Sequence, residues 1–98
     1  MEFTITKERI TAVHSDGTPM GYIRFPQVRA GLVTVDQVEV HAPFRNQGVE
    51  DAMMEALLNH LASQGRKAAL GCPFAQSYLQ AHPQWKSLLP DSIHFTTY

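Results

Sequence analysis

Residues 38–58 read VEVHAPFRNQGVEDAMMEALL, and within them the side-chain period changes from two to three and four. Val38 and Val40 alternate with polar neighbours, as the end of a half-buried strand does. From Val49 onward, Met53, Met54, Leu57, Leu58 and Leu61 recur at the spacing of a helix that buries one face. The pattern predicts a helix from about Gln47 to Ser63, stopped at Gly65, a residue type suited to a helix C-terminus. A strand that passes through a short loop into a helix start is a ready anion site. The first turn leaves backbone N–H groups unpaired, the helix dipole is positive there, and Gly48 and Arg45 add access and charge. The same glycine is equally the ordinary residue of a turn.

Upstream, Leu32 to Val40 (LVTVDQVEV) is the longest β-rich run. Its apolar phase shifts between Val35 and Val38, which predicts a bulge near Asp36-Gln37. Glu2 to Thr6 reads as a half-buried strand, Ile10 to His14 as a second, and Met20 to Phe25 as a third. Ser15-Asp16-Gly17 is expected to close a hairpin with the positive φ angles that Asp-Gly supplies. Downstream, Lys67 to Gly71 reads as an interior strand. Pro73 opens a second helix, to about Ala81, with Phe74, Tyr78 and Leu79 on one side, and His82-Pro83 ends it. Trp85, Leu88 and Leu89 form a last packed turn, and the tail SIHFTTY is strand-like in composition. Antiparallel strands followed by helix, strand and helix describe an α+β, or mixed α/β, class.

The 98 residues, 44% hydrophobic and 17% charged, fit one domain over residues 1–98. Eight basic against nine acidic residues give a net charge of −1 with no basic cluster, so no nucleic-acid partner is expected. No apolar run approaches the ~18 residues of a membrane span, and MEFTITKERI has charges where an export signal is apolar. With Cys72 the single cysteine, no internal disulfide can form, and a reduced, cytoplasmic protein is expected. Histidines 14, 41, 60, 82 and 94 include no pair four residues apart, so no metal site is expected. The serines lack a nucleophile-elbow context.

Arg45-Asn46-Gln47-Gly48-Val49, between strand and helix, resembles the acetyl-CoA loop of the general N-acetyltransferase (GNAT) superfamily. Cys72-Pro73-Phe74, then Tyr78-Leu79, His82-Pro83-Gln84-Trp85 and Leu88, resembles the ending of its short, single-domain members. Together the motifs span Val38 to Leu89. The resemblance implies a minimal GNAT-like fold, a mainly antiparallel sheet flanked by two main helices, and acetyl-CoA as cofactor. It implies that the backbone of Val38 and Val40 pairs with the pantetheine arm. It places the pyrophosphate on the N–H groups of Arg45, Asn46, Gln47, Gly48 and Val49, Cys72 near the thioester, and Tyr78 as the acid that protonates the departing thiolate. The superfamily usually has Gly where this chain has Asn46 and Gly or Ala where it has Glu50. Short members tend to carry His-Thr in place of Gln37-Val38.

The expected function is acetyl transfer from acetyl-CoA to an amine by direct attack on the thioester. The alternative is a non-catalytic CoA-binding or protein-interaction module with a degenerate site. Cys72 is either a nucleophile or a packed side chain, and His41 and His82 are either bases or structural residues. A small amine, a polyamine and a protein lysine all remain open as acceptor, as does a homodimer that completes the acceptor groove.

Overall fold

The computed structural model describes residues 1–90; the strand-like tail lies outside them. Seven strands and two main helices follow one another: β1 (Glu2–Ile5), β2 (Arg9–Val13), β3 (Pro19–Arg24), β4 (Gln27–Arg29), β5 (Leu32–Val35), β6 (Gln37–Val40), α1 (Val49–Ser63), β7 (Lys67–Leu70) and α2 (Pro73–Ala81). Short 3-10 turns fill Ala42–Phe44 and Pro83–Leu88. The strands form an antiparallel sheet of order β1-β2-β3-β6 and a second of order β4-β5-β7, in which β5 and β7 run parallel. This is the expected α+β class, mostly antiparallel with two main helices.

The run from Leu32 to Val40 does more than bulge. It breaks at Asp36, and its two halves join different sheets: Val33 and Val35 lie opposite Ala68 and Leu70 of β7, whereas Val38 and Val40 lie opposite Ile23 and Gly21 of β3. On the other side the chain stays paired with residues 24–29: the Thr34 N–H bonds to the Pro26 carbonyl (3.0 Å) and the Asp36 N–H to the Arg24 carbonyl (3.2 Å), while Gln37 also lies opposite Arg24, so the expected bulge at Asp36-Gln37 forms and produces the shift of apolar phase.

The Ser15-Asp16-Gly17 hairpin forms, but by another turn than expected. Gly17 is at φ 93°, while Ser15 and Asp16 keep negative φ. The Gly17 N–H bonds to the His14 carbonyl and the His14 N–H to the Thr18 carbonyl, both at 2.8 Å. This is a type I turn followed by a left-handed glycine, the usual three-residue hairpin loop. Three further expectations shift. Among the described residues β1 is an edge strand, with only Ile5 half-buried. Among the described residues β7 also sits at a sheet edge. The helix begins at Val49 rather than Gln47, because Asn46 (φ 63°) and Gly48 (φ 77°) are both left-handed and interrupt any helical turn there.

Its other end is fixed by Gly65 at φ 67°. The Arg66 N–H bonds to the Leu61 carbonyl and the Gly65 N–H to the Ala62 carbonyl, the paired bonds of a Schellman stop. Between these ends α1 buries Val49, Met53, Met54, Leu57, Leu58 and Leu61. They pack with Ile10, Ala12 and Ile23 of the first sheet and Val33 and Val35 of the second. Thus one helix closes the core of both sheets, and no charged or polar residue is buried with it among the described residues.

β3 and β6 approach so closely that a Cβ on Gly21 would overlap the Glu39 carbonyl oxygen. Urea unfolding should therefore register Gly21→Ala as a loss of about 1–3 kcal/mol, through overpacking. Leu57→Ala, at a fully buried position, should cost about 2–5 kcal/mol. Thr4→Ala, on exposed β1, should stay within about 0.5 kcal/mol of the parent.

Candidate functional site

The pairing of β6 leaves one of its edges open. The His41 N–H bonds to the Met20 carbonyl at 2.9 Å, and Glu39 and Gln37 lie opposite Tyr22 and Arg24. In an antiparallel ladder, alternate residues exchange bonds with the partner strand. The odd-numbered residues of β6 therefore face β3, and the backbone groups of Val38 and Val40 point the other way. No strand covers them among the described residues, because the link between β5 and β7 ends at the Gly71 N–H to Val35 carbonyl bond (2.8 Å). A Cβ on Gly71 would stand 2.9 Å from the Thr34 Oγ1 and 3.2 Å from the Val35 carbonyl oxygen, so a glycine keeps the strands close up to the point where they part.

The open edge leads to the loop before α1. Arg45 turns back and its Nε donates to the Val40 carbonyl at 3.2 Å. Gln47 Nε2 donates to the Pro43 carbonyl at 3.2 Å and braces the turn. Gly48 is the N-cap in the left-handed region with no side-chain cap, and the first backbone bond of the helix is from the Ala52 N–H to the Gly48 carbonyl at 3.1 Å. The N–H groups of Val49, Glu50 and Asp51 find no acceptor among the described residues. Orphan donors at the positive end of a helix form an anion site. Glu50 and Asp51, the acids of the first turn, oppose an added anion there while they stabilise the bare helix.

Between the edge and this loop lies a cleft of about 420 Å³, lined by Val38, Glu39 and Val40 of β6, Arg45 and Asn46 of the loop, Glu50 of α1 and Phe74 of α2. Five of the residues singled out in the sequence, Val38, Val40, Arg45, Asn46 and Glu50, thus meet in one place. Gln47 and Gly48 shape the loop without lining the cleft, and the Val49 side chain is fully buried, so Val49 can contribute only its N–H. Glu39 and Phe74 belong to the cleft although the sequence reading assigned them no part in it. Alternation beside Val38 and Val40 was the signal for Glu39; Phe74 depends on how α2 leaves the end of β7, which spacing does not encode.

Cys72 and Tyr78 do not line the cleft. Cys72 is the N-cap of α2, half-buried, in extended conformation and without a side-chain cap bond. Tyr78 is 6% exposed and stacks on His82, with centroids 4.0 Å apart and planes 16° apart, while Phe74 lies 6.0 Å away on a tilted plane. Burial pushes the Tyr78 hydroxyl up from the ordinary tyrosine value. The Glu55 and Asp51 charges push it the same way, and a hydrogen bond with Trp85 partly offsets them. The two histidines considered as bases both bond to backbone: His82 Nδ1 lies 2.9 Å from the Tyr78 carbonyl and His41 Nδ1 2.9 Å from the Pro19 carbonyl. No group of three metal-ligating side chains occurs among the described residues, and none of their helices is long and apolar enough to cross a membrane.

Solved structures share this arrangement of strands and helices. A candidate GCN5-like N-acetyltransferase from Staphylococcus aureus aligns over 99% of this chain and 95% of its own, at 16% identity and a TM-score of 0.73. GCN5 from Tetrahymena aligns over 88% of this chain and 63% of its own (17% identity, TM-score 0.61). A ribosomal-protein-alanine N-acetyltransferase from Brucella melitensis aligns over 92% and 67% (18% identity, TM-score 0.58). At such identities the likeness is one of fold. No curated protein matches the chain in sequence. The family model for GCN5-related N-acetyl-transferases matches residues 9–88, a span that runs from β2 through the open β6 edge and the loop of Arg45 to the end of the last 3-10 turn, and the chain belongs to that family.

Proposed function

We propose that the protein is an acetyl-CoA-dependent N-acetyltransferase acting on an amine. The observation that carries this reading is the junction of an uncapped helix start with an open strand edge. One offers N–H donors to a pyrophosphate, and the other offers backbone groups to an amide-containing arm. In this reading Arg45, Asn46, Gln47, Gly48 and Val49 hold the phosphates, and the Val38 and Val40 backbone aligns the arm. The donor supplies an activated acetyl thioester.

The chain's contribution is then orientation and charge. The N–H groups on the β6 edge face negative charge as it develops on the thioester oxygen during attack by a neutral amine. Burial holds the Tyr78 hydroxyl above the ordinary tyrosine value, so near neutral pH it is the neutral phenol; that makes it a weaker acid, and in this reading it gives its proton to a departing thiolate brought within its reach from the neighbouring cleft. Cys72, at the α2 N-cap just after β7, stands outside the cleft lining and is a packed side chain in direct transfer or the nucleophile in a covalent route. A non-catalytic CoA-binding module is the second reading. Glu50 and Glu39 favour it, since both bring negative charge to a cleft whose one cation is Arg45.

CoA at 100 times its Kd should stabilise the protein by about 2.7 kcal/mol in thermal unfolding. Arg45→Ala should shrink the response, and Glu50→Ala should enlarge it. An unchanged response in both variants would remove the phosphate assignment, and stabilisation without acetyl transfer to any amine would establish the binding module.

Tyr78→Phe should lower kcat by roughly 10²-fold or more with CoA affinity preserved; an equal loss of affinity would make Tyr78 a packing residue. Because its pKa is raised on folding, the stability associated with its neutral form is complete below the ordinary tyrosine pKa. That stability is lost as pH rises through the raised value. An ultraviolet titration of tyrosinate should show one late-titrating phenol that vanishes in Tyr78→Phe.

A further inference from the structure

Arg9 and Arg24 lie directly opposite each other on β2 and β3. Their neighbours Ile10 and Ile23, also opposite, are fully buried in the core with α1, so by the alternation of a strand the two arginines stand on the other face of the sheet. Like charges set opposite each other across a ladder repel, and the two guanidinium groups, charged at every physiological pH, are answered unequally. Arg24 Nη2 donates to Asp36 Oδ2 at 3.0 Å. Arg9 has no carboxylate within ion-pair distance among the described residues. Its guanidinium carbon sits 4.2 Å from the centroid of the Tyr22 ring instead.

Beside this pair opens a second cleft of about 270 Å³, lined by Thr6, Glu8, Arg9, Arg24 and Pro26. It shares no residue with the cleft of Val38 and Arg45. Its wall is fixed by main-chain bonds, from the Thr6 N–H to the Arg9 carbonyl and from the Phe25 N–H to the Glu8 carbonyl, both at 2.8 Å. The acid that lines it is engaged elsewhere: Glu8 Oε2 accepts from the Gln27 N–H at 3.1 Å, which ties that carboxylate to the start of β4. Stacking on Tyr22 occupies one face of the Arg9 guanidinium and leaves its N–H edges for a planar acceptor. A carboxylate matches that fork with two parallel hydrogen bonds. Glu8 and Asp36 already balance the two cations, so the cleft suits a monoanion and opposes a dianion such as phosphate.

We propose that Arg9, with Arg24 beside it, binds a carboxylate in this cleft, so that the protein takes a carboxylate-bearing ligand, a small organic acid or an acidic side chain, at a site separate from the open β6 edge. The site goes beyond the acetyltransferase reading and does not depend on it. Arg24 connects the two regions, since its partner Asp36 is the residue just before β6.

The test is a titration of isotope-labelled protein with sodium propionate at constant ionic strength, followed through backbone amide signals. Saturable shifts are expected at Glu8, Arg9 and Arg24, and none there with propionamide, the neutral molecule of the same shape. Phosphate at equal concentration should move these signals less than propionate does. Arg9→Gln should weaken propionate binding by about tenfold or more, and Glu8→Gln, which removes a competing charge, should tighten it. Propionate binding that survives Arg9→Gln unchanged would overturn the proposal. So would equal responses to propionate and propionamide, a comparison on the parent protein that needs no variant to fold. A stronger response to phosphate at these residues would overturn the carboxylate assignment. Nα-acetyl-glutamate amide forms a further arm: binding tighter than that of propionate names an acidic side chain as the source, and weaker binding names a small acid. Thermal response to CoA on the same samples reads the other cleft. A missing CoA response with intact propionate binding sinks the donor reading alone, and the reverse result sinks this one.

Discussion

At Asp36 the chain loses one of its two strand neighbours, and most of what distinguishes the molecule follows from that step. Up to Val35 the chain is bonded to β7 on one side and to β4 on the other; from Gln37 it is bonded, among the described residues, to β3 alone. Backbone donors and acceptors are obligatory hydrogen-bonding groups, and a strand that leaves one neighbour without gaining another on that side keeps an unpaired row. In β6 that row comprises the outward groups of Val38 and Val40. The polarity of the cleft is thus a property of the main chain, produced by topology and independent of which side chains line it.

The split is held open by the core rather than by the site. α1 packs on both sheets at once through a fully apolar face, so the strands on either side of the gap share one rigid support. Glycines set two close approaches around it, Gly21 where β6 meets β3 and Gly71 where β5 and β7 separate. The left-handed Asn46 and Gly48 then aim the helix start back at the gap. Position of the cleft, width of the gap and direction of the helix are determined by three local features of small or polar residues, each supported by the same hydrophobic helix.

Periodicity made the helices legible, because a buried stripe at three-and-four spacing has few alternative readings and because Gly65 and Pro73 mark their ends. It also located the bulge at Asp36-Gln37, since one extra residue in a strand shows up as a change of apolar phase. It could not say that the halves belong to different sheets, for strand pairing is a long-range choice that alternation does not encode. The turn type at Gly17 and the exposure of β1 escape it for a related reason. Composition identifies a turn or a strand, while the φ of each turn residue and the side on which a strand finds a neighbour are decided by the rest of the fold. The loop of Arg45 was readable as a junction. That Phe74 shares its cleft was not, since α2 comes from a segment far along the chain.

An exposed row of strand donors and acceptors is also a template on which another chain can assemble, and proteins guard such edges with charge. Arg45 does this from within. By bonding its Nε to the Val40 carbonyl, it covers one acceptor of the row and sets a cation across the path a foreign strand would take. Any strand that paired with this edge would have to displace that bond. A molecule that settles on the β6 edge must draw Arg45 away from its own backbone, and an anionic group near the helix start is well suited to do so.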